Sequence, residues 1–159
     1  IRPSRGLGDV YKRQDENTSA DSVDALLDLS GSWSGTCTLP SSDFGERATV
    51  SLELESSDEY GTYVGVDGRL LYGTGSVSVT YMDNEHEWSA QVEGVSGEQA
   101  VFLVAHEVTD HWLLEIDGTA DDSSISGYCG AAAWSFEFDE FVYVWGDLDM
   151  ARDLSLIHI

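Results

Sequence analysis

Three histidines lie in the body of the chain, His86, His106 and His111. His106 and His111 flank a short polar segment that carries Glu107 and Asp110. Imidazole and carboxylate groups at this spacing can meet on a metal ion, but a stable site needs three or four of them aimed at one point. A polar turn open to water uses the same residues, and the spacing favours the turn. Asp83–Glu87 (DNEHE) and Asp117–Asp122 (DGTADD) are rich in the oxygen ligands that suit Ca2+. Neither has the spacing of a calcium loop, and both read as solvated loops. No metal or other cofactor is expected. Paired carboxylates could hydrolyse a glycosidic bond if they faced each other in a cleft. With 28 carboxylates between Asp15 and Arg152, some pair fits anywhere, so the pattern selects none. No Gly-x-Ser-x-Gly elbow and no glycine-rich phosphate loop occurs, and neither cysteine stands in a nucleophile motif. These residues give no ground for expecting an enzyme.

Cysteines and aromatics carry more information. Cys37 and Cys129 are the only two cysteines. The first lies in the earliest strand-like segment and the second in a late one. In an up-and-down barrel the first and last strands meet, so a bridge here would staple the closure and imply an oxidising compartment. Two separate buried thiols are the alternative. Tyr63, Tyr72, Trp88, Trp112 and Trp134 are candidates to line a ligand site, together with Tyr128, Tyr143 and Trp145. Core packing is the commoner use of such residues. Tyr143 and Trp145, however, fall opposite Val142, Val144 and Leu148. If the aliphatics are core, the two rings face outward.

These residues sit in segments of period two. Trp33, Gly35, Cys37 and Leu39 share one face, as do Ala48, Val50, Leu52 and Leu54. Val77, Val79 and Tyr81 follow the same rule, then Trp88, Ala90 and Val92, then Trp112, Leu114 and Ile116. Alternation of this kind means one buried and one wet face in antiparallel strands. Residues 100–108 are apolar on both faces and read as a strand covered on both sides. Asp67-Gly68 is a two-residue hairpin signal, and Asp139-Glu140 reads as the last turn. Residues 83–85, Ser96-Gly97 and 120–124 read as longer loops. About eight to ten strands without intervening helices predict an all-β antiparallel barrel, or alternatively a β-sandwich. A short helix is expected only over "SVDALLDL", with Ser22 as its cap.

The formal charge is -23, yet four of the seven bases, Arg2, Arg5, Lys12 and Arg13, fall in the first fourteen residues. Such acidity is hostile to nucleic acid and to anionic membranes. It suits a soluble secreted protein or a salt-rich habitat. No stretch approaches the ~18 apolar residues of a membrane span. Asp9–Gln14 (DVYKRQ) and Leu154–Ile159 (LSLIHI) resemble the translated strands of a sequencing adapter. Residues 1–14 and 153–159 are therefore expected to be artefactual and to make no core contacts. Residues 15–29 read as a polar tether with the short helix, and 30–152 as the barrel domain.

"GSW" (Gly31–Trp33), following a short apolar stretch, together with Arg152 at the close of the last strand, resembles the lipocalin-like (calycin) barrels. "VTDHW" (Val108–Trp112) is similar to that family's Thr-Asp-aromatic turn, with His111 at the aromatic position. The resemblance implies that Trp33 plugs the barrel floor and that Arg152 packs over it. The expected function is an extracellular or periplasmic barrel, either secreted or tethered to a surface through a lipid on its N-terminal side, that binds a small apolar ligand in its mouth. Its rival is a β-sandwich module that binds a glycan or protein partner through exposed aromatics. A cavity lined from both ends of the barrel supports the first reading, and a flat row of Trp and Tyr the second.

Overall fold

Eight strands follow one another along the chain: β1 (Gly31–Thr38), β2 (Arg47–Tyr63), β3 (Val66–Tyr81), β4 (Asn84–Ser96), β5 (Ala100–Glu107), β6 (Trp112–Ala120), β7 (Ser124–Ser135) and β8 (Glu140–Arg152). The computed structural model describes residues 26–40, 44–109 and 111–154. Each strand pairs antiparallel with the next, and β1 pairs with β8, from Trp33↔Arg152 to Thr38↔Asp147. The sheet is therefore a closed up-and-down barrel, and the sandwich alternative is excluded. The N-terminal half of the expected helix lies outside the described residues, and residues 26–30 form no helix. The adapter-like segments also lie outside them, apart from Asp153 and Leu154. No helix among the described residues is long and apolar enough to cross a membrane.

The period-two residues of every strand point inward. Leu52, Leu71, Leu103, Leu114, Ile116 and Ile125 are almost fully buried at the centre. An eight-stranded barrel is just wide enough for its own side chains to fill it. Cys37 and Cys129 are bridged, with Cα atoms 6.0 Å apart. The bridge runs from β1 to β7 inside the barrel and so passes over β8, the strand between them.

β5 is covered on both faces, as its composition suggests. Val101, Leu103 and Ala105 face the core, and Phe102 is buried on the outer side. Its cover is the β2–β3 hairpin. The register breaks between Ser56 and Tyr60, and a bulge of this kind bends a strand. Beyond the break, the Tyr63 ring lies 5.7 Å from Phe102 and its hydroxyl donates to Glu93 Oε1 at 3.1 Å. Val95 is fully buried on this outer side.

Three turns differ from the sequence reading. The β2–β3 turn is Val64-Gly65, at φ 51° and 77°, while Asp67 and Gly68 pair with Thr62 and Gly61 inside the ladder. Gly68 is needed for close approach instead, since a Cβ there would lie 2.2 Å from the Ser96 carbonyl oxygen. The β3–β4 turn is the tight pair Met82-Asp83, both at positive φ, so the expected longer loop over 83–85 is absent. The last hairpin turns through 136–139, with Glu140 already paired to Ser135. Val64 is a β-branched residue in the left-handed region, which costs about 1–2 kcal/mol. Val64→Asn creates the Asn-Gly pair that this turn geometry prefers. It should raise the unfolding free energy by roughly 1 kcal/mol in a denaturant titration; an unchanged or lower midpoint would refute the strain.

Candidate functional site

Trp33 closes one end of the barrel. It is 1% exposed, and its Nε1 donates to the Leu29 carbonyl at 2.8 Å. The Arg152 guanidinium lies 4.8 Å from the indole centroid, and its Nη2 donates to the Asp28 carbonyl at 2.6 Å. The planar guanidinium stacks and donates at once. The Asp28 carboxyl is held below its usual range, first by the Ser30 backbone N–H and with help from Arg69. Ring, fork and backbone carbonyls close this end together, although the Arg152 Nε has no acceptor among the described residues.

The other end gathers rings over the core. Tyr81 lies 4.9 Å from Phe44 and 5.6 Å from Trp112, and His86 lies 4.8 Å from Trp112. Trp88 is 6% exposed beneath them. Its indole N–H has no acceptor among the described residues. The space between Phe44, Val77, Trp88 and Trp112 holds no volume for a water molecule.

The outer face of β7 and β8 is different. Outward parity on β8 gives Phe141, Tyr143, Trp145 and Asp147, and on β7 it gives Tyr128, Gly130, Ala132 and Trp134. The Trp145 and Tyr143 rings are parallel to within 7° with centroids 5.7 Å apart. Phe141 continues the row at 6.3 Å from Tyr143 and meets Trp134 at 5.2 Å. Both leading rings lean across β7. Trp145 covers Gly130, where a Cβ would come within 2.7 Å of its ring. Tyr143 reaches over Ala132 to donate to Glu115 Oε1 on β6 at 3.3 Å. They remain solvent-facing, Trp145 49% and Tyr143 37% exposed, with Tyr128 at 65%. Beside them runs a groove of about 490 Å3, lined by Thr38, Leu39, Pro40, Tyr128, Trp145 and Asp147.

The five aromatic candidates do not converge. Trp88 and Trp112 belong to the inner layer, Tyr63 to the folded-back hairpin, Tyr72 to the outer face of β3 and Trp134 to the β7–β8 row. Only Trp134 joins the exposed strip. Phe141 and the Leu39-Pro40 wall were not singled out by sequence, although the outward parity of β8 points to Phe141. The histidines are likewise apart. His111 stacks edgewise on Phe136 at 5.5 Å, and His86 sits at the mouth. Asp110 lies outside the described residues. Among the described residues no three His, Cys, Asp or Glu side chains gather as a metal site would require. In the DGTADD segment, Asp121 accepts the backbone N–H groups of Ser123 and Ser124 at 2.8 Å each. Those bonds hold its carboxyl below the usual range and make it a turn cap.

The outer tyrosines carry a pH signature. Partial burial, followed by the Glu93 hydrogen bond and charge, pushes Tyr63 up to about 12. Tyr143 is raised by partial burial and then by Glu115. A folded value above the unfolded one, near 10, means the native state holds its protons longer. The associated stability is complete below pH ~10 and is lost as pH climbs towards ~12. Tyr63→Phe should flatten that alkaline limb in unfolding measurements across the range; an identical limb in the variant would contradict the assignment. No family model, curated protein or solved structure matches this chain.

Proposed function

We propose that the chain is a lipocalin-like barrel that binds a glycan on the outer face of β7 and β8. The observation that carries this reading is the pair of parallel, solvent-facing rings of Tyr143 and Trp145 beside an open groove. Sugar rings present C–H faces that stack on aromatic planes and hydroxyls that seek acceptors at the edge. Here the acceptors are the carboxylates of Glu115 and Asp147. The rival reading, an apolar ligand in the mouth, is supported by the Phe44, Tyr81 and Trp112 rings. The space between Phe44, Val77, Trp88 and Trp112 offers such a ligand no room. The Cys37–Cys129 bridge supports an oxidising location, extracellular or periplasmic. Attachment to a surface through a lipid on the N-terminal side is the finer part of the proposal.

The test is a screen of immobilised oligosaccharides against the wild-type chain, Trp145→Ala and Tyr143→Ala. Each lost ring should weaken binding about tenfold while far-ultraviolet circular dichroism stays unchanged. A screen without hits, or hits that both variants retain at full strength, would sink the reading.

A further inference from the structure

The aromatics of the strip are interleaved with carboxylates in fixed register. Across the strands, Asp117 on β6 faces Tyr128 on β7, and Tyr128 faces Asp147 on β8. Facing side chains in an antiparallel pair stand about 5 Å apart at Cβ, so the Tyr128 ring rises between two carboxylates. Two residues along, Glu115 faces Gly130, which faces Trp145; on the other side Ser126 faces Asp149. The nearest base in the Tyr128 row is Arg47, which lies beyond Thr38 and two strands from Asp147. Asp147 is also the charged residue lining the groove.

Resting on the glycan reading, we propose that this face takes a cationic amino-sugar chain, built of N-deacetylated hexosamine units. One ammonium group sits at Tyr128 between Asp117 and Asp147, and the neighbouring sugar face lies on Trp145. An ammonium over an aromatic face is attracted by the ring quadrupole, and the two flanking carboxylates add charge and acceptors. A neutral sugar lacks both terms. A uronic or sulfated sugar meets like charge here and from the whole surface, whose formal charge of -23 steers cations towards it instead.

Calorimetric titrations should compare three hexamers of the same linkage at mildly acidic pH: glucosamine, N-acetylglucosamine and glucose. The glucosamine hexamer should bind about tenfold more tightly than either neutral one, and the margin should shrink in high salt. Asp117→Asn with Asp147→Asn should erase the margin, so that the three hexamers bind alike. Glu85→Gln with Glu87→Gln, on β4 across the barrel, should preserve it. Equal binding of all three hexamers overturns the amino-sugar assignment while the glycan reading stands. A margin reduced alike by both double variants overturns the location, because it then belongs to the acidic surface at large. If no hexamer binds, the amino-sugar inference falls, and the glycan reading is then decided by the oligosaccharide screen.

Discussion

Replacing Cys37 and Cys129 together by alanine should lower the unfolding free energy by about 4–5 kcal/mol. The bridge spans a sequence separation of 92 residues, and in the chain-entropy view its stabilisation grows with the logarithm of that loop. Both cysteines are fully buried, so the lost sulfur contacts add to the effect. For a domain of this size the melting temperature should fall by on the order of 15 °C. Reductant added to the unfolded wild-type chain should reproduce the shift on refolding. Paired denaturant titrations of the oxidised protein and the double variant measure it. A loss under ~1 kcal/mol would mean that the reduced chain keeps its ends together by other contacts.

Trp33→Ala should cost about 3–5 kcal/mol, the range for truncating a large buried aromatic. It removes a plug that is 1% exposed, leaves the Leu29 carbonyl without its 2.8 Å donor, and strips the stacking partner from Arg152. Arg152→Lys should cost less, about 1–2 kcal/mol, because an ammonium can still reach the Asp28 carbonyl but cannot also lie flat on the indole. The double variant separates these effects. Its cycle should give a coupling of roughly 0.5–2 kcal/mol between the two side chains. Additive losses would show that they stabilise the floor independently.

An antiparallel all-β fold of about eight to ten strands was legible because parity alone sorts an alternating segment into wet and dry faces, whereas closure rests on the β1–β8 pairing, which parity does not fix. Val50, Leu52 and Leu54 could face only one way, and so could Tyr143 and Trp145. Parity does not say which sector of the barrel a residue occupies. Trp88, Tyr72 and Trp134 all looked like cavity candidates, yet they lie inside, on β3 and on β7 respectively. The Asp67-Gly68 signal misled because a glycine required by a neighbouring strand looks the same in sequence as one required by a turn. Val64 gives no local sign of its left-handed backbone, since register, set by the length of the paired strands, places it there. The groove at Pro40 was invisible for a similar reason. It forms where the exit of β1 passes Trp145, a contact between residues distant in sequence.

The meander has a kinetic consequence. Seven of the eight strand pairings join consecutive strands, and only β1–β8 must be found across the whole domain. Local hairpins close quickly, whereas a contact across a long loop waits on chain diffusion and its entropy. The slow event in refolding should therefore be the meeting of β1 and β8. A chain that unfolds with its bridge intact keeps β1 tethered to β7, one strand from its partner, and so begins that search nearly finished. Oxidised chains should refold faster than reduced ones by far more than they differ in unfolding rate.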